Sequence, residues 1–178
     1  MDRVNRAVGL GRFLRSVGET IPWPKDPVDE NDQRHRTSSM VPPSASNFED
    51  FLEPGIRGLV VALVQGWHCT TFSSCQGHFD PIAGVASQAT VGMIATDEEE
   101  LKRLVRLGSK LAESVGAVGT VVEGCQLVAQ VNPLETGFGE VPVVELWFIP
   151  TFGWTRYFTA LPDQVALAAR HVDIVARG

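Results

Sequence analysis

Apolar residues recur at Phe48, Phe51, Leu52, Ile56, Leu59, Val60, Leu63, Val64 and Trp67. Their spacings of three and four draw one stripe along a helix. Ser46-Asn47-Phe48-Glu49 has the form of a capping box ahead of it. Pro54-Gly55 interrupts the stripe, so either the helix kinks there or a short turn precedes a helix that starts at Pro54. Gly66 suits its end. The period then changes. Residues 68–75 read as a strand running into a turn, and residues 85–95 as a second strand with Val85, Ala89, Val91 and Met93 alternating toward a core. Thr96-Asp97-Glu98-Glu99 forms another capping box, with acidic residues where they complement the helix dipole. Leu101, Leu104, Val105, Leu111, Ala112 and Val115 make the buried stripe of that helix. Glu98–Lys102 and Glu99–Arg103 pair along its wet face, and Gly116 ends it. Residues 118–131 and 141–149 are two further strand runs, joined by a loop containing Asn132-Pro133 and Gly137. Pro142 is tolerable at a strand beginning. Pro162 opens a final helix carrying Val165, Ala168, Ala169 and Val172 on one side.

The resulting order is α-β-β-α-β-β-α. Strands that neighbour in sequence predict an α+β fold, with a mixed or antiparallel sheet of about four strands covered by two to three helices. The pattern holds from residue 46 to 178, which reads as a single α+β domain. Residues 1–45 differ. Arg3, Arg6, Arg12 and Arg15 alternate with Val4, Val8, Phe13, Leu14 and Val17 as in a short basic amphipathic helix, which Gly9 and Gly11 weaken. Pro22, Pro24, Pro27, Pro42 and Pro43 then bias the chain toward extended conformations. We read an N-terminal basic segment and a proline-rich linker or arm.

A chain of 178 residues can bury a sizeable core without staples. Its 44% apolar and 20% charged residues exclude a disordered chain. A net charge of -6 argues against a general nucleic-acid surface, which relies on neutralising phosphates. Three cysteines cannot all pair within one chain. With no secretory signal at the start, reduced thiols and a cytoplasmic location are expected. No apolar run approaches the roughly 20 residues of a membrane span. The expected partner is a small-molecule substrate, with nucleic acid disfavoured and no membrane. A homo-oligomer and docking through the N-terminal arm both stay open.

Reactive groups concentrate between His68 and Asp80, in His-Cys-Thr-Thr-Phe-Ser-Ser-Cys-Gln-Gly-His-Phe-Asp. An extended chain separates Cys69 from Cys75 by about 20 Å, too far for a disulfide or a shared metal ion. Regular alternation puts Cys69, Thr71, Ser73 and Cys75 on one face. Cys75 then stands where a strand gives way to a turn. Backbone N–H groups at residues 76–78 can converge there as a nest, favouring a thiolate or holding an oxyanion. Cys75 is the expected nucleophile or acid/base, His78 its partner and Asp80 the orienter. Ser73, Ser74 and Gln76 supply polar contacts to a substrate, and Gly77 allows close backbone approach. Cys75-x-x-His78 is also one ligand pair for zinc, though a structural zinc site wants four ligands. Glu145, mid-strand among apolar neighbours, faces either a pocket or solvent. Trp154 and Arg156 offer an aromatic and a guanidinium for a planar or anionic ligand, or form a packed turn before the last helix.

Ser73-Ser74-Cys75-Gln76-Gly77 resembles the Ser-Ser-Cys-x-Gly signature of the tRNA wybutosine-synthesis methyltransferases. That resemblance implies S-adenosylmethionine as cofactor and a modified guanosine in tRNA as substrate, with Ser73, Ser74, Cys75 and Gly77 at the site. His78 stands where that family carries Arg. The Ser-Cys-x-Gly-His form is also similar to a motif of small bacterial and phage proteins, which assigns no activity. The residues themselves fix no cofactor: zinc and S-adenosylmethionine both stay open. The leading expectation is an enzyme, a Cys/His-dependent hydrolase or transferase, acting on a small polar or nucleotide-like substrate. The alternatives are a non-catalytic anion, nucleotide or zinc module, and a methyltransferase of the wybutosine type.

Overall fold

The computed structural model describes residues 48–177 except 81, 83, 118–123 and 137–138. The basic segment and arm expected over residues 1–45 lie outside the described residues, as do Ser46 and Asn47 of the first capping box. The elements are a 3-10 turn Phe48–Phe51, helix α1 Pro54–Trp67, strands β1 Thr70–Cys75, β2 Phe79–Asp80, β3 Val85–Ala86 and β4 Ala89–Ile94, helix α2 Glu98–Ala117, strands β5 Cys125–Thr136 and β6 Gly139–Pro150, and helix α3 Trp154–Arg177. Strands β1, β4, β6 and β5 lie side by side in that order as an antiparallel sheet, while β2 and β3 form a separate small hairpin. The α+β class predicted from the alternating periods is the one observed.

Proline and glycine explain most of the departures. Of the two readings of Pro54-Gly55, the chain adopts the second, a short turn and then a helix with proline at its first position, where no N–H is needed. Gly66 does not cap α1. The helix closes at His68, which adopts the left-handed conformation at φ 50°. Gly66 instead lets α3 come close, since a Cβ there would stand 2.9 Å from Val172. The strand expected over 85–95 is broken at Ser87-Gln88 into β3 and β4. Asn132-Pro133 is not a loop, because β5 runs through it and Pro133 faces Pro142 of β6. Pairing between β4 and β6 stops at Ile94 and Val143, so Pro142 needs no partner on that side. Pro162 lies inside α3 rather than at its start. The helix begins eight residues earlier because Gly153 O accepts the N–H groups of Arg156 and Tyr157. The segment Trp154–Tyr157 is therefore the first turn of α3, not a turn before it.

The cap of α2 is displaced by one residue. Asp97 Oδ1 accepts the Glu100 N–H at 2.7 Å, and the Glu100 carboxylate reaches back to the Thr96 N–H at 2.7 Å. Glu98 pairs with Lys102 as expected, at 3.4 Å, but Arg103 pairs with Glu100 rather than Glu99. Its guanidinium also donates to Trp67 O at 2.8 Å, which ties α2 to the end of α1.

The helices cover one face of the sheet, and α3 packs against both α1 and α2. Val91 and Met93 of β4, Val144, Leu146 and Phe148 of β6, and Leu127 of β5 point into that layer. Ile94, Val141 and Val143 belong to a second cluster with Phe72 and Leu134 on the opposite face. A bulge in β1 decides which side chains reach which face. Thr71 pairs with Met93 and Ser73 with the adjacent Gly92, so Phe72 is the extra residue. Its ring lies over Gly92, where a Cβ would stand 2.5 Å from it. Thr71 and Ser73 therefore lie on opposite faces, against the regular alternation expected for them. No helix among the described residues is long and apolar enough to cross a membrane.

One buried hydroxyl joins the sheet to the helix layer next to the reactive turn. Tyr157 of α3 is fully buried, and its hydroxyl oxygen accepts the Ala89 N–H at 2.7 Å. Tyr157→Phe leaves that N–H buried without an acceptor. The expected cost is about 1–3 kcal/mol, read as a lower urea midpoint at unchanged m-value. An unchanged midpoint would show that the hydroxyl does not anchor β4.

Candidate functional site

Strand β1 ends at Cys75, and the next three residues fold back onto the start of α1. Glu53 is the residue before that helix, with extended dihedrals of φ -57° and ψ 132°. Its own side chain does not cap the helix. Gln76 does so from the turn: its Oε1 accepts the Gly55 N–H at 2.8 Å. The contact is reciprocal, since Glu53 Oε2 accepts the Gln76 N–H. A side chain at Gly55 would stand 2.7 Å from Gln76 Oε1, so the glycine in Pro54-Gly55 admits the incoming turn. Gly77 adopts φ +79°, and a Cβ on it would stand 2.9 Å from Ser87 O. Both its conformation and its neighbours select glycine.

This docking brings three reactive groups together. Glu53 Oε1 lies 2.9 Å from His78 Nε2. Donor atoms of Glu53, Cys75 and His78 all lie within 4.8 Å of one another. The side chains differ in access: His78 is 55% exposed and Glu53 15%, so the imidazole faces solvent while the carboxylate is held beneath it. Cys75 is half-buried, and its sulfur accepts the Gly77 N–H at 3.4 Å. With Glu53 as acceptor, Nε2 carries the proton of a neutral ring, an assignment inferred from the partner. Nδ1 is then left with its lone pair.

The expected site residues distribute as follows. Cys75, His78, Gln76 and Gly77 are brought together in the turn. Asp80 is not what orients His78; that carboxylate is Glu53. Asp80 belongs to the β2–β3 hairpin, where its Oδ1 accepts the Ile82 N–H at 2.8 Å. Ser73 pairs with Gly92 and Ser74 with Val91, so the two hydroxyls leave the strand on opposite sides. Glu145 lies mid-strand in β6, across from Gly92, with its carboxylate bonded to Asn132 Nδ2 and Trp147 Nε1. It holds its own sheet face together rather than meeting the turn. Arg156 lies over the Phe152 ring at 5.4 Å. Trp154 stacks on Phe158, which in turn meets Phe79, the residue after His78. Trp154 thus belongs to an aromatic wall beside the turn.

The nest expected at residues 76–78 is not formed. The three N–H groups go to three separate acceptors, Glu53 Oε2, Cys75 Sγ and Ser87 Oγ. They brace the turn instead of converging on a ligand. Three contributors were not singled out in the sequence: Glu53, Ser87 and Tyr157. Glu53 gave one signal, a carboxylate immediately before a proline-initiated helix. Ser87 bonds His78 through both its hydroxyl and its N–H, which donates to His78 O at 2.9 Å. No protein-family model, curated protein or solved structure matches the chain.

The three thiols are in unlike surroundings. Burial pushes Cys69 up to about 12, and Cys125 likewise to about 12. Burial also pushes Tyr157 up to about 12, with the nearby Cys125 and Cys75 adding to it. Cys69 sits in the helix-covered core with its sulfur against Leu63 O. Two outcomes follow. Iodoacetamide at pH 8 should alkylate the native chain at Cys75 alone, with Cys69 and Cys125 reacting only in denaturant; prompt native labelling of either would contradict their burial. The folded state keeps the buried groups protonated after they ionise in the unfolded chain. Stability should therefore fall as pH rises from the ordinary thiol value of 9.0 toward about 12. A urea midpoint that stays flat across that window would rule out this linkage.

Proposed function

We propose that the chain is a small enzyme whose active site is the turn after β1, with Cys75 as nucleophile, His78 as its proton acceptor and Glu53 orienting the imidazole. The observation that carries this reading is the convergence of a thiol, an imidazole and a carboxylate within 4.8 Å. Glu53 and Cys75 come from segments 22 residues apart, and a reciprocal pair of hydrogen bonds holds them together. The chemistry of this set is that of an activated thiol. The His78 imidazole takes the Cys75 proton, the sulfur attacks an electrophilic carbon, and the imidazolium returns the proton to the leaving group. Glu53 on Nε2 orients the ring, and it stabilises the imidazolium that forms. The Gly77 N–H on sulfur favours the thiolate. Separations longer than a hydrogen bond are ordinary for such groups before substrate closes the site.

The reaction class is hydrolysis or group transfer through a thioester-like or alkylated-thiol intermediate. The reading extends to a small polar or nucleotide-like substrate, as the hydroxyl of Ser73, on the same strand face as Cys75, suggests. The aromatic wall of Phe79, Phe158 and Trp154 beside His78 suits an apolar or planar part of the same substrate. The wybutosine-type methyltransferase reading gains no specific support from the geometry.

A panel of activated esters, thioesters and amides supplies the test. Wild-type chain should turn over at least one of them. Cys75→Ala should abolish the activity and His78→Ala reduce it by about 100-fold or more. Glu53→Gln should lower it less, because it keeps an acceptor on the ring but loses the charge. Turnover in Cys75→Ala equal to wild type would remove the thiol from the mechanism.

A further inference from the structure

We propose that Glu53, Cys75 and His78 also form a zinc site of three protein donors with a fourth position open to solvent, and that zinc seated there silences the Cys75 thiol. The silencing rests on the active-site reading above; the zinc site itself does not.

The donor set selects the ion. A thiolate, an imidazole and a carboxylate together match the sulfur, nitrogen and oxygen ligands of zinc. Calcium and magnesium take oxygen ligands and have no use for the sulfur. The distances are also suitable. Bonds of about 2.0–2.3 Å in a tetrahedron place donor atoms on the order of 3.5 Å apart. Here the imidazole nitrogen and carboxylate oxygen are 2.9 Å apart, and all three donors lie within 4.8 Å. Small side-chain rotations convert one arrangement to the other. Only the His78–Glu53 contact has to open, and the ion takes over both partners.

The surroundings resemble the outer shell of a metal centre. Glu53 Oε2 is held by the Gln76 N–H, which aims Oε1 at the cluster. The Gly77 N–H on Cys75 Sγ offsets thiolate charge. Both contacts orient first-layer donors in the way that outer partners do in metal sites. Exposure of His78 leaves one side of the cluster to water, so the site is closed by three ligands and completed by a solvent molecule. The sulfur binds as thiolate and its proton goes to solvent, while the imidazole changes tautomer through solvent so that Nε2 ligates and Nδ1 carries the ring proton. A zinc-bound thiolate has its nucleophilic lone pair engaged, and His78 can no longer accept its proton. The same three residues would thus act as a thiol triad when stripped and as a metal site when loaded.

The test uses the whole chain, stripped with a chelator and then titrated with zinc against a chromophoric competitor, and separately with cobalt. The expected result is one zinc per chain. The cobalt form should show intense visible bands of a tetrahedral ion and a sulfur-to-cobalt charge-transfer band. Cys75→Ser and His78→Ala, checked for folding by circular dichroism, should each weaken binding by at least tenfold, with the charge-transfer band lost in the former. Zinc should slow iodoacetamide labelling of Cys75 in the wild type, and chelator should restore it. Absence of stoichiometric zinc, a cobalt spectrum without the sulfur band, or unchanged alkylation with zinc present overturns the proposal. The wild-type labelling arm decides even if both variants fail to fold. The two readings separate cleanly. Cys75-dependent turnover with no zinc binding leaves the active site and removes the metal. Zinc binding with no turnover in the stripped chain does the reverse.

Discussion

The site depends on one reciprocal cap. The first turn of any helix leaves N–H groups in need of partners; the carbonyl of Glu53 takes those of Ile56 and Arg57, but its side chain does not cap the Gly55 N–H. Gln76 does, across 21 positions of chain, while the carboxylate of Glu53 takes the N–H of Gln76 in return. Each segment completes the other. A carboxylate near a helix N-terminus is favoured by the dipole, so Glu53 is held there whether or not His78 is present. His78 then comes to a carboxylate already in position. Removing the Gln76 side chain would leave the Gly55 N–H without this cap, while the backbone bond from Gln76 to Glu53 would stay.

The bulge at Phe72 is the second constraint. Without the extra residue, β1 would leave the sheet with its faces exchanged, and Ser73 and Cys75 would share the face of Thr71 instead of lying opposite it. Phe72 can occupy the bulge because Gly92 opposite has no side chain to meet its ring. Tyr157 secures the same corner from below by accepting the N–H of Ala89, the first residue of β4. Three small features, Gly77, Gly92 and one tyrosine hydroxyl, therefore fix where the thiol stands.

Much of this was legible in the sequence. The periods of three and four in α1 and α2, and the apolar runs in β4 and β6, mark the elements because each buries one face against the same core. The turn from Cys75 to His78 stood out through the density of polar and reactive groups after a strand. Other features were hidden for physical reasons. Glu53 lies 25 residues before His78, and no local pattern announces a carboxylate that acts across such a gap. Asp80 was the nearer choice, but a hairpin turn claims it. The bulge has no sequence mark, since Phe72 is as good a strand residue as any. Pro162 misled because proline opens helices more often than it continues them, whereas here the Gly153 carbonyl starts α3 ahead of it.

The central claim is that Glu53 holds the His78 ring by Nε2, with the Cys75 sulfur beside the pair. Nitrogen-15 NMR of the imidazole, metal-free and near pH 8, reads this directly. The account predicts one dominant tautomer, with the proton on Nε2, which becomes a mixture in Glu53→Ala. A freely exchanging tautomer mixture in the wild type, or a protonated Nδ1 unaffected by that substitution, would contradict it.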